Sequence, residues 1–224
     1  MGHVSITIRR TDPDALGEFT VPYREPMTLL DVLVEVQRAH DASLAFRFFC
    51  RAALCGTCTV RHDGTPVLAC QTAVAPGSHS RVDPLAGLPV IRDLVVDTKP
   101  FAASWATAVR RGAPRGVPDG SLGAVRRLDM LDDARECIAC AACYSACPVA
   151  GADETFLGPA AITRMSAVAV DHRLAGADRP LVLSGPPGVG GCHSVGACSV
   201  VCPRGVDPAR AIRRLRRIAD EERP

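Results

Sequence analysis

Cys137-Ile-Ala-Cys140-Ala-Ala-Cys143-Tyr-Ser-Ala-Cys147-Pro148 is the stretch from which the rest of the chain is read. Its cysteines stand at C-x2-C-x2-C-x3-C-P spacing, that of bacterial two-cluster ferredoxins, in which the fourth thiolate serves a different cluster from the first three. Tight loops let three successive thiolates converge on one cubane. The proline keeps the following turn from coiling back over it. A pair of C-x2-C zinc knuckles is the competing reading. A structural zinc takes four ligands of its own, whereas this run needs a second run like itself.

The chain supplies one: Cys192-His193-Ser194-Val195-Gly196-Ala197-Cys198-Ser199-Val200-Val201-Cys202-Pro203. On the same template, Cys192, Cys198 and Cys202 take positions one, three and four, and position two falls on Val195. The cross-over rule assigns Cys137, Cys140, Cys143 and Cys202 to a complete [4Fe–4S] cluster. Cys147, Cys192 and Cys198 are left for a second cluster with three thiolates. A cubane corner without a ligand readily loses its iron, which makes [3Fe–4S] the expected species. A [4Fe–4S] cluster with water or hydroxide on its fourth iron is the alternative. Val195 cannot ligate, and it is expected to help exclude solvent.

Upstream, Cys50, Cys55 and Cys58 form C-x4-C-x2-C, with Cys70 further on. This is the plant-type arrangement for a [2Fe–2S] cluster. Gly56 sits inside the loop, where a side chain would crowd the inorganic sulfides and backbone N–H groups can point at them. Asp63-Gly64 reads as a hairpin turn between arms 57–62 and 65–68, returning Cys70 to the loop. Four, four and three cysteines then use all eleven. The odd total does not suit a closed disulfide framework.

Bulk composition agrees. Hydrophobic residues make up 47% of the 224 positions, enough for a packed core. The 26 basic residues nearly balance the 24 acidic ones and aromatics are 4%, so neither a polyanion binder nor a base-stacking platform is expected, and no nucleic-acid partner. Met1-Gly-His-Val-Ser-Ile lacks a basic start followed by an apolar core, so a reducing compartment is expected. No apolar run approaches the roughly 20 residues that span a bilayer.

Around these motifs, Val4, Ile6 and Ile8 alternate with Ser5, Thr7 and Arg9 as a half-buried strand, Asp12-Pro13-Asp14 turns, and Phe19 and Val21 resume the alternation. Thr28 is the expected N-cap of a short helix with Asp31 three residues on, and Leu30, Leu33, Val34 and Gln37 mark one face. Val90–Val96 is expected to close the sheet. The Gly-, Pro- and Arg-rich stretch Arg110–Gly120 reads as a linker, with the domain boundary just before or within it. Pro159 begins a helix, Gly185–Gly191 is a loop, and from Pro208 a helix repeats Ile212, Leu215 and Ile218. Arg210, Arg213, Arg214, Arg216 and Arg217 are expected to form a solvated basic face, with docking to an acidic partner as second reading.

The expected fold class is α+β. Residues 1–100 form an N-terminal plant-type [2Fe–2S] ferredoxin-like (β-grasp) domain. Residues 101–224 form an α-helical bacterial-ferredoxin-like domain carrying the [4Fe–4S] and [3Fe–4S] clusters.

This combination resembles the iron–sulfur subunit of succinate dehydrogenase/fumarate reductase (respiratory complex II). The similarity includes Phe46–Arg51, Cys55-Gly56-Thr57-Cys58, Leu68–Thr72, Asp93–Asp97, Cys137–Pro148, Gly158-Pro159-Ala160 and the run from Cys192 through Cys202-Pro203-Arg204-Gly205-Val206-Asp207-Pro208. The resemblance implies an electron relay between the FAD of a separate flavoprotein subunit and a membrane quinone held by anchor subunits. The [2Fe–2S] cluster would lie nearest the flavin. Substrate chemistry would then belong to the flavoprotein, with this subunit peripheral on the cytoplasmic face of the cell membrane. It also implies quinone contacts at Pro148 and His193. His193 could donate a proton to reduced quinone, or serve as a histidine beside the cluster. Two departures are visible. Val149-Ala150-Gly151-Ala152 stands where ubiquinone-linked members carry a tryptophan pair, which favours menaquinone. Phe49-Cys50-Arg51-Ala52-Ala53 replaces the usual Ser-Cys-Arg-Glu-Gly, so a shifted [2Fe–2S] potential is expected. An iron–sulfur subunit of another flavin-dependent oxidoreductase is the alternative. Relatives of that kind lack the plant-type first domain or carry all eight cubane cysteines.

Overall fold

The computed structural model describes residues 2–12, 15–111, 133–170 and 187–221. The expected linker beyond Arg111 and residues 13–14 of the first turn lie outside the described residues, as do residues 185–186 of the glycine-rich loop. The chain divides into two compact units. One comprises Met1–Thr98 with Ile138–Ala142, the other Lys99–Cys137 with Cys143–Pro224.

The first unit is built on a five-stranded mixed sheet in the order β2-β1-β5-β3-β4. β1 (His3–Arg9) pairs antiparallel with β2 (Leu16–Pro22), setting Val4 opposite Val21 and Ile6 opposite Phe19. Val4, Ile6, Ile8 and Val21 are buried, as the two-residue period requires. β1 also runs parallel to β5 (His79–Asp83), a pairing that demands a long crossover. α1 (Leu29–Ala39) and the cysteine loops occupy that crossover. Thr28 and Asp31 form a reciprocal capping box at its start. The buried face of α1 is Leu29, Leu30, Val32, Leu33 and Val36, rotated from the expected one. Val34 is only half-buried, and Gln37 donates to the Leu44 carbonyl at 2.7 Å instead of packing. Helix and sheet thus form the β-grasp core.

β3 (Thr59–His62) and β4 (Thr65–Leu68) form the expected hairpin, and β3 also pairs with β5. Asp63 (φ 48°) and Gly64 (φ 82°) are both left-handed, which fits a turn whose twist matches the strands. The expectation for Val90–Val96 is corrected. β6 (Val90–Arg92) and β7 (Val95–Val96) pair only with each other, in a separate two-stranded sheet. Asp93 at φ 48° reverses the chain, so the segment folds on itself and leaves Val90 and Ile91 exposed.

The second unit is helical: α2 (Lys99–Arg111), α3 (Ala142–Ser145), α4 (Gly158–Val170), α5 (Ala197–Val200) and α6 (Pro208–Glu221). α4 packs on α2 and α6. Ala161, Ile162 and Met165 of α4 and Ile212, Leu215 and Ile218 of α6 are buried, and Phe156 completes this core. Phe101 meets Tyr144 edge-on, with centroids 5.8 Å apart. Val189–Gly191, expected as loop, forms a short 3-10 turn. Among the described residues no helix is long and apolar enough to cross a membrane.

Candidate metal centres

The cysteine loop between Ala45 and β3 is wound from left-handed residues: Arg51 (φ 54°), Ala53 (φ 56°) and Gly56 (φ 69°). Left-handed backbone costs a non-glycine residue about 1–2 kcal/mol. Here it turns N–H groups inward to make a nest for negative charge. The Ala52 N–H donates to Cys50 Sγ at 3.4 Å. Cys50 and Cys55 are hydrogen-bond neighbours, and Cys58 interacts with both Cys70 and Cys55. Ala69 N–H donates to the Cys58 carbonyl at 3.1 Å, so the hairpin does return Cys70 to the loop. Burial works against the Cys55 thiolate, but hydrogen bonds from Thr57 and Cys50 outweigh it and bring the pKa down to about 6. Burial pushes the Cys58 thiol up to about 11.

Two residues shape this centre in ways hidden in the sequence. A Cβ on Gly56 would lie 2.6 Å from Cys140 Cβ and 2.8 Å from Cys140 Cα. The obstacle at Gly56 is therefore the Ile138–Ala142 segment, which belongs to the first unit. Ile138 and Cys140 pack against that unit's core. The second residue is Asp93, only 1% exposed. Its carboxylate accepts from Ala45 N–H (2.9 Å), Thr11 N–H and Oγ1 (both 2.9 Å) and Arg10 Nε (3.2 Å). Burial opposes ionisation, yet these donors hold the Asp93 pKa below the ordinary carboxylate value. Asp93 thereby ties the start of the cysteine loop to the end of β1. The sequence signal for this was an acid inside an apolar run.

In the Cys137–Cys147 run, Ala139 (φ 54°) and Ala141 (φ 62°) are again left-handed between cysteines, and Cys143 lies in α3. Cys202 follows α5, and its carbonyl accepts from Gly205 N–H at 3.2 Å.

Cys147, Cys192 and Cys198 line one shallow pocket that is open to solvent. Pro148, His193 and Val195 line it too. Burial raises the Cys198 thiol to about 11, and the neighbouring Cys147 and Cys192 add to the shift. Ser194 is left-handed (φ 60°), and its N–H donates to Cys192 Sγ at 3.3 Å. Val195 is 64% exposed, so within this chain it does not exclude solvent as expected. Among the described residues no three Cys, His, Asp or Glu side chains close on a single ion. Thiols on left-handed nests, with N–H groups aimed at sulfur and three thiols gathered on one open pocket, fit iron–sulfur clusters as the resident groups.

The uniform basic face expected on α6 is also corrected. Arg216 turns inward to Val189 and Cys192 carbonyls and to Ser194 Oγ. Arg210 pairs with Asp133 at 2.7 Å.

A β-grasp unit with four gathered cysteines, joined to a helical unit with a three-cysteine pocket, defines a two-domain iron–sulfur protein. Residues 5–103 match the 2Fe-2S iron-sulfur cluster binding domain family, and residues 133–206 match the 4Fe-4S dicluster domain family. The chain is 42% identical to the fumarate reductase iron-sulfur subunit of Mycobacterium tuberculosis, over 88% of this chain and 83% of that one. It is 36% identical to the Haemophilus influenzae subunit of the same name, over 93% and 90%. Its fold is similar to a chain of the Mycobacterium smegmatis Sdh1 complex in the apo form, with TM-score 0.81, 26% identity, and 99% and 97% coverage. The chain belongs to the family of fumarate reductase/succinate dehydrogenase iron–sulfur subunits.

Proposed function

We propose that this subunit relays electrons between the FAD of a flavoprotein subunit and a membrane quinone through three clusters. The [2Fe–2S] cluster would be held by Cys50, Cys55, Cys58 and Cys70. The [4Fe–4S] cluster would be held by Cys137, Cys140, Cys143 and Cys202, an assignment that rests on spacing. The [3Fe–4S] cluster would be held by Cys147, Cys192 and Cys198. The observation that carries this reading is the pocket that gathers these last three thiols, with Val195 where a fourth ligand would stand. When bound, the clusters accept and pass single electrons; the protein's part is to ligate, to orient and to set potential. N–H donation from Ala52 and Ser194 to sulfur favours the reduced, more negative state at each end of the relay.

Exposed apolar groups flank both ends. Phe49 is 80% exposed beside the first centre, with Leu54 also exposed. This edge suits the flavoprotein. Val195 lines the three-cysteine pocket and Val200, 86% exposed, ends the α5 turn that carries Cys198; both suit an anchor subunit that would complete its cover. His193, exposed on the pocket wall with Pro148, would give a proton to reduced quinone. Menaquinone is the quinone favoured by Val149–Ala152, and the subunit would sit peripherally on the cytoplasmic face of the cell membrane.

Stepwise reduction of the purified complex, followed by EPR, tests the cluster set. A [3Fe–4S] signal in the oxidised state and a [2Fe–2S] signal on reduction are expected. Two [4Fe–4S] signals would overturn the reading of Val195.

A further inference from the structure

Arg216 of α6 reaches into the wall of the three-cysteine pocket. Its stem is fixed by the α6 core, since Leu215 beside it and Ile212 and Ile218 around it are buried. Nε and Nη2 both donate to the Val189 carbonyl, at 3.2 and 2.8 Å. Nη2 also donates to the Cys192 carbonyl, and Nη1 donates to Ser194 Oγ at 2.6 Å. One planar guanidinium therefore spans the 3-10 turn, the cysteine and the residue two beyond it. The same Ser194 is held at φ 60° with its N–H on Cys192 Sγ. A left-handed serine is costly unless its surroundings hold it. The rigid fork provides that restraint, which a lysine ammonium could reproduce at only one point.

We infer that Arg216 is a positioning residue for the quinone-side cluster: it locks the Cys192–Ser194 turn and places a fixed positive charge behind it, raising that cluster's potential. This rests on the reading that Cys147, Cys192 and Cys198 hold a cluster. The hydrogen bonds named here all go to neutral oxygens, so none of them cancels the guanidinium's charge. Positive charge stabilises the reduced state, which carries one more electron, over the oxidised one. The locked Ser194 N–H acts in the same direction. The two contributions separate by substitution. Arg216→Lys keeps charge and loses the fork. Arg216→Gln loses charge and keeps a short planar donor. Arg216→Met loses both.

The test is an EPR redox titration of the intact complex carrying each variant, with the [2Fe–2S] signal as internal control. For Arg216→Met the reduced-to-oxidised ratio of the third cluster at fixed ambient potential should fall about tenfold, equivalent to about 59 mV for one electron. Arg216→Gln should fall nearly as far and Arg216→Lys by less than half that shift, with the [2Fe–2S] titration unmoved in all three. Should Arg216→Met fail to assemble, the Lys and Gln variants carry the comparison. Equal potentials in wild type, Lys and Gln overturn the inference. A wild-type complex without the third cluster's signal would instead overturn the cluster reading beneath it, so the two failures are distinguishable.

Discussion

Replacing Gly56 by alanine perturbs one atom at the closest approach between two cysteine loops. The new Cβ would stand 2.6 Å from Cys140 Cβ, 2.8 Å from its Cα and 3.3 Å from its N. Ordinary carbon contacts lie at about 3.5–4.0 Å. Two of the three obstructing atoms are main chain, so no rotamer change relieves the overlap. Gly56 also has φ +69°, where alanine is disfavoured by about 1–2 kcal/mol. Overpacking adds about 1–3 kcal/mol, for a total of about 2–5 kcal/mol against the ~5–15 kcal/mol that stabilises a typical domain. Gly64→Ala supplies the control. Its φ is +82° with nothing within 4 Å of the added Cβ, so it carries the backbone cost alone. The assay is the thermal midpoint of the cluster-loaded complex, followed by loss of visible absorbance at one scan rate. A unit of about 100 residues loses roughly 4–8 °C per kcal/mol. Gly64→Ala should cost about one to two such steps. Gly56→Ala should cost about two to five, with selective bleaching of the [4Fe–4S] signal because Cys140 is displaced. If the two variants melt together with all clusters retained, the proposed clash with Cys140 is wrong.

Asp93→Ala leaves the N–H groups of Ala45 and Thr11 without their acceptor in a buried site, and should destabilise the first unit by about 3–5 kcal/mol in urea unfolding. Because the folded-state pKa of Asp93 is depressed, its stabilisation is present above the unfolded carboxylate value near 4 and is lost as pH falls through the folded value. The wild-type unfolding midpoint should therefore drop on acidification below about pH 4, and the Asp93→Asn slope should be shallower. In cluster-free chain, Cys55 at about 6 is mostly thiolate at neutral pH, whereas Cys58 and Cys198 at about 11 are not. The lower nucleophilicity of a low-pKa thiolate offsets part of that difference, leaving Cys55 about 50-fold faster towards an aromatic disulfide reagent. Peptide mapping of the first labelled cysteine checks this, and Cys58 labelled first would contradict it. Cys147→Ser should remove the EPR signal of the quinone-side cluster and spare the [4Fe–4S] signal; the reverse pattern would refute the crossed assignment.

The cysteine loops were legible because they are local. A C-x2-C or C-x4-C loop must turn within a few residues, and the thiol side chains advertise themselves. The same holds for the Thr28–Asp31 cap and for Asp63-Gly64, where the residue types and the backbone they adopt are separated by at most three positions. The buried stripe of α6 followed from its three-residue recurrence. Val90–Val96 departs from the main sheet: β-branched content promises a strand without naming its partner. The left-handed turn at Asp93 and its bonds to Thr11 and Ala45, 82 and 48 residues away, bend the segment out of the main sheet.

The sequence alone determined how many thiols there are, how they group into loops, and that position 195 cannot ligate. These are properties of covalent spacing and side-chain chemistry, and they survive without knowledge of what packs where. Only the tertiary structure decided that Gly56 faces Cys140, that Asp93 holds the first cysteine loop, and that Arg216 among five similar arginines reaches the Cys192 turn. Each of those facts depends on two segments meeting at a particular helix rotation or strand reversal. A rotation of one residue on α6, about 100° around the axis, would have offered another arginine to the pocket.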